Sequence, residues 1–238
     1  LPLRDSLNLA AVNSINWARI MAQTAYYAYA ALAVGSPARP VSFAVPTGNF
    51  GNAYSGYIAT RLGLPIRNLL VATNANDILA RFFAGAGYRK SKVIPSISPS
   101  MDIQVASNFE RLLFELYGCD GGEIRKLIER LDLGSGFDVA PNIIEHAGRQ
   151  FSARRVDDAR ALKCMAETWR TCGTLIDPHS AAGLAAAEDM ATDGDGDLYL
   201  TPTICLATAH PAKFPDAVER ATGVSPALPE ALADLLHR

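Results

Sequence analysis

Two hydrophobic rhythms alternate along this chain. Trp17, Ile20, Met21, Thr24, Ala28 and Ala31 or Leu32 recur at helical spacing ahead of a terminating Gly35, which predicts a long amphipathic helix from Ser14, its N-cap, to Val34. Val41, Phe43 and Val45 then alternate with small residues up to Pro46, the period of a strand. A small-residue loop leads into a second helical run, Ala53 to Leu62, with Tyr54, Tyr57, Ile58 and Leu62 on one face. The apolar run within Arg67 to Thr73 has strand length and the composition of a parallel strand buried on both faces. Strand, helix and strand in this order imply a right-handed crossover.

Farther on the helical period dominates. Asn74, Asn76 and Asp77 are expected to cap a helix to about Ala84, followed by a loop rich in Gly and Pro from Gly85 to Pro99. Helices are expected over Asn108 to Tyr117 and across Ile124 to Leu131, with Lys126 on the wet side, and a break from Gly134 to Asn142. Arg154 and Arg155 read as solvated surface, and the two acids after them cap a helix over Ala159 to Thr171. Asp177, Pro178, His179 and Ser180 open a helix from Ala181 to Met190, whose alanines and Gly183 imply close packing. Leu198 to Ala207 forms the last strand, ending in Thr208, Ala209 and His210, before a helix over Ala212 to Ala221 and a tail with one short helix. The pattern predicts an α/β fold with a mainly parallel sheet and helices on both faces. Core elements are expected over about 10–84 and 172–222, with a helical insertion over about 100–170.

Composition narrows the class. The chain has 238 residues, 49% of them hydrophobic and 19% charged, with a net charge of −2, as in an ordinary globular protein without a pull toward nucleic acid or anionic membrane. Apolar runs stop short of a membrane span and no leader pattern opens the chain, so a cytoplasmic location is expected. Cys119, Cys164, Cys172 and Cys205 lack zinc-ligand spacing and read as buried thiols of a reducing compartment. Asp193 to Asp197 imitates the start of a calcium loop, yet Leu198 stands where that loop needs Gly and Ile204 where it needs Glu. No metal is expected.

Candidate chemistry lies in the loop after the first strand. Gly48, Asn49, Phe50, Gly51 and Asn52 join strand to helix, an arrangement that lets backbone amides and a helix N-terminus converge on an oxyanion. The local sequence alone is equally that of a tight turn. It has neither the Lys of a Walker A loop nor a Gly-x-Gly-x-x-Gly pattern, so a single phosphate fits better than a nucleotide tail. Asn13, Ser14 and Arg19 gather amide, hydroxyl and guanidinium donors at a helix start, which suits an anion or simply a capped, solvated helix end. In parallel sheets ligands gather at the carboxyl ends of strands, where both the glycine loop and Thr208 to His210 fall.

Taken together the stretches resemble the threonine synthase family. The matching strings include Val12 to Ile20, Val45 to Asn52, Val71 to Ile78, Ser98 to Ile103, Ser107 to Leu112, Asp177 to His179 and Leu206 to Phe214, nearly end to end and in order. The resemblance implies the fold type II, tryptophan synthase β subunit-like architecture and pyridoxal 5′-phosphate as cofactor. It gives Gly48 to Asn52 the cofactor phosphate, Thr208 the pyridine nitrogen, and Asn13, Ser14 and Arg19 the phosphate of O-phosphohomoserine. The implied reaction converts that substrate and water to L-threonine and phosphate. Partners implied are the small substrate and, as in many fold type II enzymes, a second copy of the chain.

One motif is missing. The family's Schiff-base lysine lies in a motif resembling Phe-x-Gly-Pro-Thr-x-Ala-Phe-Lys-Asp, which does not occur among the 238 residues, so the catalytic lysine is unassigned here. Lys213 is the lysine nearest the expected site, and its reading is to fix the helix after Thr208. The expectation is therefore a carboxyl-terminal part of a longer enzyme, inactive alone. Alternatives are another fold type II lyase, such as a dehydratase or phospholyase, and a non-catalytic phosphate-binding fragment.

Overall fold

The computed structural model describes residues 13–194 and 201–233. The expectations for Leu3 to Ala11, for Asp195 to Asp197, for the Leu198 to Leu200 part of the last strand and for the end of the tail lie outside them. Four parallel strands form the sheet, β1 (Val41–Pro46), β2 (Ile66–Thr73), β3 (Phe151–Arg155) and β4 (Thr203–Cys205), in the order β3-β2-β1-β4. The chain runs outward from β1 to β2 and β3, then returns to lay β4 on the other side of β1. That reversal puts the topological switch point, and hence the crevice, between β1 and β4.

Strand alternation divides the core into two layers. Val41, Phe43 and Val45 of β1, with Leu69 and Val71 of β2, face α1 (Trp17–Ala33), α2 (Gly51–Arg61), α3 (Ile78–Phe83), α4 (Phe109–Leu116), α5 (Gly121–Asp132) and α6 (Pro141–Gly148). Ala44, Leu70 and Ala72 face the other way, toward α7 (Asp158–Cys172), α8 (Pro178–Thr192) and α9 (Pro215–Thr222). Small strand residues meet Ala181, Ala182, Ala185 and Ala186 of α8, so helix and sheet approach closely. Large side chains fill the first layer. Phe50, Phe82 and Phe109 pack edge to face with centroids 4.7 and 5.1 Å apart, each pair contributing about 0.5–1.5 kcal/mol beyond area burial.

Several expectations change. The buried stripe of α1 is Ile20, Thr24, Tyr27 and Ala31, whereas Trp17, Met21 and Leu32 are exposed. Tyr27 displaces them because its ring packs 4.6 Å from Phe43 while its hydroxyl donates to the Asn52 carbonyl at 2.7 Å. Asn16, not Ser14, is the N-cap, accepting from the Ala18 amide at 2.9 Å. Helix α2 starts at Gly51 and buries Ala53, Tyr54, Ser55, Gly56 and Ala59, leaving Leu62 exposed. Asn74 and Asn76 do not cap α3; their amides grip Ser96, Ile94 and Asp102 of the long loop.

The stretch from 100 to 170, expected as a helical insertion, also supplies the edge strand β3, in which Arg154 pairs with Asp193 at the sheet margin. Helix α6 lies where no element was expected. The helix expected over Ala212 to Ala221 is split into a 3-10 turn, Pro211–Lys213, and α9, because Pro215 restarts it. Cys164 is buried, and burial pushes its thiol up to about 11, but Cys119 and Cys172 are exposed. Among the described residues no helix is long and apolar enough to cross a membrane, and no metal-ligating cluster occurs.

Candidate functional site

The loop leaving β1 turns sharply over the end of the sheet. Phe50 adopts a left-handed backbone (φ 63°) and sends its ring into the aromatic core, so it contributes its amide rather than its side chain to the surface. A non-glycine residue held there is strained, and the buried ring is what holds it. Gly48 is required for a different reason. A Cβ at this position would lie 2.5 Å from the Ser100 carbonyl oxygen, so only glycine lets the two backbones touch.

Among the described residues, no backbone amide from Gly48 to Asn52 donates to an internal carbonyl, whereas the Thr47 amide before them and the Tyr54 amide farther along α2 do. Helix α2 has neither a side-chain cap nor an acidic residue in its first turn. The donors are therefore left for an external anion, in line with the helix macrodipole. They open on a cavity of about 280 Å³, at the small end of the range for ligand pockets. Arg19 and Lys213 line it, and no described carboxylate does, so its field favours an anion.

A second set of residues binds the loop to the start of α1. Asn108, fully buried, donates from its side chain to the Ser14 carbonyl (2.8 Å) and the Asn49 carbonyl (3.2 Å), while its backbone amide reaches the same Asn49 carbonyl at 3.0 Å. The Asn49 side-chain amide donates to Ser14 Oγ at 3.1 Å. These bonds bring Ser14 to the cavity beside Gln23, one turn beyond Arg19 on α1. Arg19 is exposed; its backbone amide donates to the Asn16 carbonyl at 3.0 Å, and its guanidinium has no hydrogen-bond or ion-pair partner among the described residues. Asn13 does not join them. Its Oδ1 accepts from the Ile15 amide at 3.0 Å, so it serves a local turn.

Across the cavity, after β4, stand Thr208 and Ala209. The Leu206 amide still donates to Ala44, and then the chain leaves the sheet with the Thr208 amide bonded to Ser180 Oγ at 3.1 Å. Thus Ser14, Arg19, Gly48 to Asn52 and Thr208 share one cavity, and Asn13 lies outside it. Sequence reasoning missed Gln23, Ser100, Met101 and His179, and gave Lys213 only a structural part although it lines the cavity. The spacing of Gln23 four residues after Arg19 was the available signal. Ser100 stood only within a string that carries the family resemblance, Ser98 to Ile103, and nothing local gave it a role.

The residues fit a small phosphorylated ring compound: free amides for a phosphate at one end, a hydroxyl at the other, and no acid between. Comparison with known proteins agrees. Residues 180–238 match the family model described as Threonine synthase, C-terminal. Threonine synthase of Pseudomonas aeruginosa is 48% identical over 97% of this chain and 48% of its own length. The crystal structure of PLP-bound threonine synthase from Brucella melitensis superposes with a TM-score of 0.93 at 48% identity, covering all of this chain and 50% of that one. The yeast threonine synthase structure gives 0.87 at 39% identity over 96% of this chain and 49% of its own. The sheet order, the crevice at its switch point and the helices on both faces are those of the fold type II pyridoxal phosphate enzymes. Within that class the chain belongs to the threonine synthase family, and it spans about half the length of the curated relatives it matches.

Proposed function

We propose that the chain supplies the cofactor-phosphate cradle and the substrate-phosphate grip of a threonine synthase, which converts O-phospho-L-homoserine and water to L-threonine and phosphate. The observation that carries this is the run of unpartnered amides from Gly48 to Asn52 facing Thr208 across one cavity. Pyridoxal 5′-phosphate, when bound, supplies the electron sink that makes hydrogens on the substrate carbons acidic and lets a phosphate leave.

The chain's own residues hold and orient. Amides of Gly48 to Asn52 would bind the cofactor phosphate through charge-assisted hydrogen bonds, each contributing about 1.5–3 kcal/mol. Thr208 would donate its hydroxyl to the ring nitrogen; a neutral alcohol leaves that nitrogen unprotonated, which a carboxylate would not. Arg19, with Ser14 beside it, would hold the substrate phosphate and stabilise the charge it carries away. Asn13, kept as a substrate contact by the family resemblance, would have to turn from its bond to Ile15. The reactive lysine is not assigned within these residues. Of the chain's five lysines only Lys213 lines the cavity, and its ammonium lies over the Phe214 ring, 5.9 Å from the centroid.

The reading places the rest of the catalytic apparatus in the part of the family's length that this chain does not span. It also places the protein in a cytoplasmic, reducing compartment, supported by four unpaired cysteines, and allows a homodimer. Phosphate release from O-phosphohomoserine, measured on the gene product that contains this chain, tests it. Release with formation of threonine supports the proposal; release of phosphate without threonine makes it a phospholyase, and turnover of free serine or threonine instead makes it a dehydratase.

A further inference from the structure

Behind the cavity lies a buried polar network that the proposed roles leave unused. Asp177 is fully buried at the start of α8 and accepts from the backbone amides of His179 (2.9 Å) and Ser180 (3.4 Å). Its Oδ1 also faces His179 Nδ1 at 2.9 Å, and its Oδ2 takes a hydrogen bond from Ser180 Oγ. An N-cap needs no more than the backbone bonds. Both side chains continue beyond the cap, in opposite directions. Ser180 Oγ accepts from the Thr208 amide at 3.1 Å, and His179 Nε2 accepts from the Ser100 amide at 3.2 Å. A backbone amide only donates, so Nε2 is the bare nitrogen and the ring proton sits on Nδ1, toward Asp177. The Ser100 carbonyl is in turn the group against which Gly48 abuts.

We propose that Asp177 is a positioning residue that sets the separation between the two ends of the ligand cavity, holding the Thr208 end through Ser180 and the Gly48 end through His179 and Ser100. The inference rests on the reading of that cavity as a pyridoxal phosphate site. Two hydrogen-bonded arms from one carboxylate fix the span that a rigid ring and its phosphate must match, as supporting residues do behind other binding groups. The arms are separable by their hydrogen bonds, because beyond Asp177 the Ser180 hydroxyl bonds the Thr208 amide and His179 Nε2 bonds the Ser100 amide.

The test titrates the full 238-residue chain and its variants by calorimetry, with inorganic phosphate and separately with pyridoxal 5′-phosphate. Phosphate senses one end; pyridoxal phosphate senses both. Ser180→Ala should weaken pyridoxal phosphate about tenfold, the loss of roughly one hydrogen bond, and leave phosphate unchanged. Ser180→Thr, which keeps the oxygen, should restore it. His179→Phe, which keeps the ring against Phe214 but removes the acceptor, should weaken both ligands alike. Asp177→Asn should do what the two do together. A selective loss in Ser180→Ala supports the proposal, and should Asp177→Asn fail to fold, the two single-arm variants still decide. Equal losses of both ligands in Ser180→Ala, or no loss, overturn it while leaving the cofactor site standing. Binding of neither ligand by the unsubstituted chain overturns the site and this inference with it.

Discussion

Replacing Gly48 with alanine tests the loop at its tightest point. The added methyl would lie 2.5 Å from the Ser100 carbonyl oxygen, where real contacts start at 3.0 Å, so backbone must move by at least about 0.5 Å. Neither side yields easily, since the Ser100 amide is tied to His179 and the Asn49 carbonyl is tied to Asn108. Overpacking of this kind costs about 1–3 kcal/mol of stability. A shift of about 0.5 Å also takes amide donors from roughly 2.9 Å toward the limit of a hydrogen bond, and losing one charge-assisted bond weakens anion binding about 10- to 100-fold. Calorimetric titration with phosphate, alongside thermal unfolding, reads both effects. Gly148→Ala is the control, because a Cβ there meets nothing within 4 Å at the end of α6, and it should be neutral or slightly stabilising. Wild-type phosphate affinity in a well-folded Gly48→Ala variant would refute the claim that these amides bind the anion.

Three further outcomes are expected. Asn108→Ala leaves the Ser14 carbonyl without its donor and the Asn49 carbonyl with the backbone amide alone, and should lower unfolding stability by about 1–3 kcal/mol at unchanged urea m-value; a change under about 0.5 kcal/mol would mean the loop is held otherwise. Arg19→Ala should alter stability by less than about 0.5 kcal/mol and leave pyridoxal phosphate affinity intact, yet raise the KM for O-phosphohomoserine at least about tenfold in the full enzyme; an unchanged KM removes Arg19 from the substrate site. Burial pushes the Asp177 carboxyl up, but hydrogen bonds from His179 and Ser180 outweigh it and hold the group below its ordinary value of 3.8. A depressed carboxylate contributes stability that is whole above its unfolded value and drains away as pH falls through the folded one. Acid unfolding below about pH 4 should therefore be less steep in Asp177→Asn than in the unsubstituted chain, and identical slopes would show that Asp177 is not among the groups responsible.

Much of this was legible because local patterns and tertiary demands agree. The run from Val41 to Asn52 reads as strand, loop and helix in sequence and is so in space, since apolar alternation, two glycines and a helical period all point one way. β3 was hidden because an edge strand ending in Arg154 and Arg155 has the composition of a solvated turn; its pairing to β2 is a tertiary fact. The stripe on α1 was rotated because hydrophobicity ranks Trp17 and Met21 as core, while the hydrogen bond that lets Tyr27 bury its hydroxyl depends on Asn52, 25 residues away. Ser14 looked like a cap for the same reason in reverse: nothing local says that Asn49 claims its hydroxyl and leaves the cap to Asn16. Asn108 and Ser100 stood within strings that carry the family resemblance, but their framing of the site could not be read there, because it consists of contacts with backbone groups of distant segments.

The account stands on a single geometry, the glycine-loop amides and the Thr208 hydroxyl at opposite ends of one ligand. A crystal structure of the chain soaked with pyridoxal 5′-phosphate measures it directly. The phosphate should lie within about 3 Å of amides between Gly48 and Asn52, with the ring nitrogen at hydrogen-bond distance from Thr208 Oγ1. Phosphate bound at Arg111 or another surface cation, or a ring turned away from Thr208 while the phosphate sits in the loop, would contradict it.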